Sequence, residues 1–99
     1  MYIALTTESD LVKARCLAKE LLESKLAACI STNKTNAMYW WQGKIEESEE
    51  IQLVIKTNSE KINNLIEKIM LLHSYETPEI IFWETSSTSG YNEWMNSMI

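Results

Sequence analysis

The only histidine and the only proline of the chain stand in one run, HSYETPEI, His73 to Ile80, beside Tyr75, Glu76 and Glu79. Imidazole and carboxylate together suit borderline divalent ions such as copper or zinc. His73, Glu79 and Glu76 are therefore the candidate metal ligands. A second reading needs no metal: a histidine that closes a helix caps its last carbonyls and meets the favourable end of the dipole. Tyr75 reads as a packing, interface or ligand-contact aromatic. Catalysis would need a general base with a nucleophile in reach. Only His73 or a glutamate could be that base, and the chain has neither a Ser/His/Asp set nor a Gly-rich phosphate loop. The expectation is a protein that binds rather than one that catalyses.

Other residues carry chemistry by type. Cys16 and Cys29 match no zinc spacing; Cys29, after LAA at a strand start, reads as a small buried hydrophobe, and Cys16 as semi-buried and inert. Glu46, Glu47, Glu49 and Glu50 form an acidic run, which is ordinarily a solvated hairpin that resists edge pairing, with weak cation attraction as the alternative. Trp40 and Trp41 read as core and subunit contact. They join Tyr75, Lys56 and Cys29 as the residues placed at a ligand or an interface.

The totals bound what these residues can serve. Ninety-nine residues make a single domain, 1–99. Hydrophobic residues at 45% and charged residues at 23% fit an ordinary globular chain. The net charge of -5 repels phosphate backbones, which argues against nucleic acid. No apolar run is long enough to span a membrane. The opening MYIALTTESD turns acidic at once, unlike a secretory signal, so the cytoplasm and reduced thiols are expected.

The elements that must position these groups follow from periodicity. YIAL reads as a strand. TTESD supplies helix caps, with Ser9 or Thr7 accepting from free amides. Apolar positions 11, 14, 17, 18, 21 and 22 then give a helix to about Lys25. LAACI begins a strand, STNKTN interrupts it as a bulge or small loop, and AMYWWQ resumes it. Gln42-Gly43 is the turn into KIEESEEIQLVIKT, where Ile51, Leu53 and Ile55 share a face. A second helix carries the stripe Ile62, Leu65, Ile66, Ile69 and Leu72, with Ser59 as its cap, and stops before Pro78. EIIFWETS is a strand, and a short helix with Tyr91, Trp94, Met95 and Met98 on one side ends the chain. The order βαββαβ plus a helix predicts an α+β, ferredoxin-like antiparallel sheet with two helices on one face.

Two helices cover only one face. The other should alternate with polar residues, yet Ile80 and Phe82 point one way and Ile81 and Trp83 the other, and Met38 to Trp41 are large on both sides. Burying each such side chain is worth about 1.5–3 kcal/mol. The pattern predicts a partner surface, most simply another copy of the chain.

KLAACI, YWWQGKIEESEEIQLVIKT, HSYETPEI and YNEWMNSMI, in this order and spacing, resemble the CutA family of divalent-cation tolerance proteins. The resemblance implies a ferredoxin-like fold assembled as a compact homotrimer, and a role in the response to copper and other divalent metals, through a bound metal ion or small ligand. It also implies an architecture like the nitrogen-signalling PII proteins, which leaves a signalling or scaffold trimer without direct metal contact as the alternative. Two positions depart from the family pattern. Ser74 stands where a proline usually follows the histidine. Thr6 takes the place where some members carry a cysteine belonging to their proposed copper site, and a hydroxyl is a poorer copper ligand than a thiolate.

Overall fold

The computed structural model describes residues 1–99. Its elements are β1 (Tyr2–Glu8), α1 (Leu11–Glu23), β2 (Cys29–Trp41), β3 (Lys44–Thr57), α2 (Ile62–Leu72), β4 (Ile80–Glu84) and α3 (Ser89–Met98). The four strands make one sheet in the order β2-β3-β1-β4. Every neighbouring pair is antiparallel. This is the split βαβ arrangement expected from the element order.

Several boundaries differ from the sequence reading, each for a local reason. β1 continues through Thr6, Thr7 and Glu8, because all three pair with β3. The α1 cap is therefore Asp10, whose Oδ1 accepts from the Lys13 amide at 2.8 Å, and neither Ser9 nor Thr7 serves. α1 stops at Glu23, not at about Lys25. The Leu26 amide donates to the Leu21 carbonyl and the Lys25 amide to that of Leu22, a Schellman closure with Lys25 left-handed at φ 61°. STNKTN is uninterrupted strand, paired residue by residue with β3. At the start of α2, Asn58 rather than Ser59 accepts, from the Lys61 amide at 3.0 Å. Gln42-Gly43 makes the expected turn, with both residues at positive φ as a type I′ hairpin requires.

Residues directly opposite across a ladder share a face. Ala4, Thr6 and Glu8 of β1 therefore lie with Ile55, Leu53 and Ile51 of β3 beneath α1 and α2. There Leu17, Leu21, Leu65 and Ile69 complete the core. Ile3 and Leu5 of β1, Val54 and Lys56 of β3, and Ile81 and Trp83 of β4 look away from the helices. α3 packs against β3 and buries Met95 outside that core.

β1 pairs only with residues 51–57 of β3. The remainder of the β2–β3 hairpin runs past the sheet as a two-stranded arm. At its tip Met38, Trp40, Trp41 and Ile45 are exposed, Trp40 to 74%. Trp40 and Trp41 are thus no part of this chain's core, contrary to the core half of the sequence reading.

Candidate functional site

His73 follows the last residue of α2, and its amide closes the helix on the Ile69 carbonyl at 2.8 Å. The ring does not cap the helix carbonyls. It turns back to β1 and is buried, with Nε2 bonded to the Thr7 carbonyl. Nδ1 accepts from the Tyr75 amide at 2.9 Å. A carbonyl oxygen only accepts and an amide N–H only donates, so these two bonds place the ring proton on Nε2. His73 stands here as a neutral imidazole with both nitrogens engaged inside its own chain.

Glu8, at the end of β1, lies beside it and is buried. Its Oε1 accepts from the Ser74 hydroxyl at 2.5 Å and from the Ser9 amide at 3.3 Å. Its Oε2 accepts from the Ser74 amide at 3.1 Å. Ser74 therefore holds the carboxylate through two donors, its amide and its hydroxyl, neither of which a proline at this position would supply. The one ion-pair contact of Glu8 is with His73, whose Nδ1 lies 3.6 Å from Oε2. That nitrogen carries no proton while it accepts from Tyr75, so hydrogen bonds rather than an ion pair satisfy the buried carboxylate.

Tyr75 extends the cluster to the root of the arm. Its hydroxyl donates to Glu50 Oε2 at 2.8 Å, and its ring lies 4.9 Å from that of His73. Burial, and then the hydrogen bond to Glu50, push its phenol well above the ordinary tyrosine range. Glu50 thus leaves the acidic run for a structural bond, while Glu46, Glu47 and Glu49 stay exposed.

The candidate ligands are not drawn together. Glu76 and Glu79 are exposed, while His73 is buried with both nitrogens bonded. No group of three or more His, Cys, Asp or Glu side chains is placed to hold a metal ion. Thr6 is fully buried with an unpartnered Oγ1. Within one chain these residues do not fit a copper centre. Cys16 is exposed rather than semi-buried; it lines, with Glu8, Ser74 and Leu72, an open cleft of about 360 Å³ at the start of α1. Cys29 is half-buried and polar in company: Lys56 Nζ lies 4.0 Å from its Sγ.

Sequence reasoning missed Glu8 as the partner of Ser74 and Glu50 as the partner of Tyr75. Glu8 was hidden because an acid before a helix has a ready explanation in the dipole. The clue in the chain was Ser74 itself, a residue with two donors where the pattern has proline.

The chain matches the family model described as CutA1 divalent ion tolerance protein over residues 2–98. It is 42% identical over 94 residues to the divalent-cation tolerance protein CutA of Thermococcus kodakarensis, covering 94% of this chain and 90% of that one. The fold superposes on the crystal structure of CutA1 from Pyrococcus horikoshii with a TM-score of 0.95 at 34% identity, covering 99% of this chain and 97% of the other. A further similar structure, at TM-score 0.93 and 33% identity with 99% and 98% covered, is the periplasmic divalent cation tolerance protein CutA from Archaeoglobus fulgidus.

Proposed function

The chain belongs to the CutA1 divalent ion tolerance family, and from that premise we propose that it serves divalent-cation tolerance as a homotrimer, contacting a divalent ion or small ligand where copies meet rather than within one chain. The observation that carries the assembly is the arm. An isolated two-stranded ribbon is marginal in water, and this one ends in Met38, Trp40, Trp41 and Ile45 with nothing from its own chain over them. The apolar residues of the uncovered sheet face, Ile81 and Trp83 among them, add to the same drive. Light scattering at micromolar concentration should give about three times the 11.5 kDa chain. A stable monomer with native tryptophan emission would defeat the proposal.

The ion contact is placed between copies because one chain offers only exposed carboxylates, Glu76 and Glu79 of the His73 run and the acidic run of the arm. Copper class remains the expectation carried by the resemblance. Titrating copper and zinc into wild type and into the Glu76→Gln/Glu79→Gln double variant tests it. Equal binding in both proteins would move the contact to the arm. No binding by an intact trimer would favour the signalling or scaffold reading, which the self-contained bonding of His73 supports. The family is named for tolerance and not for a reaction, which goes with a non-catalytic role. No helix is long and apolar enough to cross a membrane. We place the protein in the cytoplasm, in keeping with its two free cysteines.

A further inference from the structure

The open cleft at the start of α1 lies on the helix side, away from the arm and from the sheet face assigned to contact between copies. Val12 and Leu17 of α1 and Leu72 of α2 line it, together with Glu8 and Ser74. Val12 is 73% and Leu72 41% exposed, so their apolar surface is left uncovered. The volume, about 360 Å³, falls in the range of small-ligand sites, about 300–1,000 Å³. The charges at the cleft are not matched within the chain. Glu8 is 2% exposed, and its oxygens accept from the Ser74 hydroxyl, the Ser74 amide and the Ser9 amide. A carboxylate has about four acceptor positions. The fourth, on Oε2, has no donor, because His73 Nδ1 at 3.6 Å carries no proton. No lysine or arginine forms an ion pair with Glu8, so its charge is uncompensated. Lys13 also lines the cleft, and none of the chain's ion pairs includes it. Glu20, a further lining residue, is already held by Lys68 at 3.7 Å. The cleft therefore presents a free negative charge, a free positive charge and apolar walls.

We propose that this cleft binds a small zwitterion with an apolar body, an α-amino acid of the leucine type. Its ammonium meets Glu8, its carboxylate meets Lys13, and its side chain lies along Val12, Leu17 and Leu72. Two arguments support the class. First, a buried carboxylate without a counter-charge is costly, and a cation that reaches it relieves that cost. Ser74 fixes the Glu8 carboxylate through its amide and its hydroxyl, so the acceptor is ordered before the ligand arrives. Second, the two free charges select against simpler ligands. An amine alone leaves Lys13 as a like charge in the same cleft, and an acid alone meets Glu8; a zwitterion pairs with both. The lining comes from one chain, so the site is independent of the assembly and separate from the ion contact proposed between copies.

Titration calorimetry with L-leucine tests the proposal, against isoamylamine, which lacks the carboxylate, and 4-methylpentanoate, which lacks the ammonium. Leucine should bind more tightly than either. Leucine should also slow maleimide labelling of Cys16, which lines the cleft, and leave labelling of Cys29 unchanged. Glu8→Gln should weaken leucine by about tenfold or more, the effect of removing a charge-assisted bond. Lys13→Met should weaken it by about two- to fivefold, as loss of an exposed ion pair does. The Asp10 cap uses the Lys13 backbone amide, so this second variant keeps α1 intact and decides the matter if Glu8→Gln fails to fold. Absence of binding by leucine in the folded wild type overturns the site. Binding of isoamylamine or 4-methylpentanoate as tightly as leucine overturns the zwitterion class. Unchanged leucine binding by Lys13→Met with no protection of Cys16 overturns the location.

Discussion

Leu53 and Val54 are consecutive residues of β3 and meet opposite environments. Leu53 is fully buried under α1 and α2, in contact with the helix-side core. Val54 is half-buried on the other face, in the row with Leu5 and Ile81. One sheet thus has a face completed by its own chain and a face that its chain leaves unfinished. The same contrast holds for the polar groups. His73, Glu8, Ser74, Tyr75 and Glu50 satisfy one another's hydrogen bonds, whereas Lys56 has the Ser31 hydroxyl and the Cys29 thiol for neighbours but no anion. Finished chemistry points to structure and unfinished chemistry points to binding. The sequence placed His73 among the candidate ligands and Lys56 and Cys29 at a ligand or an interface; within one chain only His73 has its bonds complete.

The largest effect separates the two faces directly. Leu53→Ala should cost about 2–5 kcal/mol, as truncation of a fully buried leucine does. Its urea midpoint should fall by the same amount at low and high protein concentration if the subunit fold alone is weakened. Val54→Ala should leave the subunit fold nearly intact and act on association, so its loss should shrink as protein concentration rises. Equal and concentration-independent losses in both variants would mean that the second face is not an interface.

A smaller effect concerns the finished polar cluster. The Tyr75 phenol is held above its ordinary value of about 10 by burial and by its bond to Glu50. The sign follows from proton counting. Below about pH 10 both folded and unfolded chains keep the proton, and the full contribution is present. Above it the unfolded chain releases a proton that the folded chain retains, so stability falls as pH rises. Tyr75→Phe should flatten this alkaline decline and lower stability near neutrality by about 1.5 kcal/mol, the lower end for a bond to a charged acceptor because Tyr75 is only part-buried. Tyr91, also raised, is common to both proteins and cancels in the comparison. Parallel stability curves across the alkaline range would remove Tyr75 from the account.

Much of the fold was legible because apolar spacing is local. The stripe Leu65, Ile69 and the alternation Ile51, Leu53, Ile55 both landed on the core face. Gln42-Gly43 was legible because a type I′ turn demands residues that accept positive φ. The end of β1 was not: Thr7 and Glu8 suit a helix start as well as a strand, and only pairing with Gln52 and Ile51 decides. STNKTN was not legible as strand because it lies on the edge strand β2, exposed at all but Thr35, so no core face enforces alternation there. The site was legible as a stretch but not as a constellation. Ser74 finds Glu8 across 66 positions and Tyr75 finds Glu50 across 25, distances over which composition carries no signal.

Thr6 offers the smallest effect and the sharpest test of what finished chemistry means on the helix side. Its hydroxyl is fully buried on β1, opposite Leu53 and Ile80, and it alone among the buried side-chain polar atoms has no partner. An unpaired buried hydroxyl costs about 1–3 kcal/mol in desolvation. Thr6→Val replaces it with a methyl group of nearly the same shape and keeps the β-branched preference for a strand. The variant should therefore be more stable by about 1 kcal/mol, the lower end of that range, because the cavity was shaped around a hydroxyl. Chemical denaturation of the two proteins at one concentration reads the difference. If Thr6→Val were less stable than wild type, the hydroxyl would have a partner that a single chain does not supply, and the position of the family's thiol would return as a place where something binds.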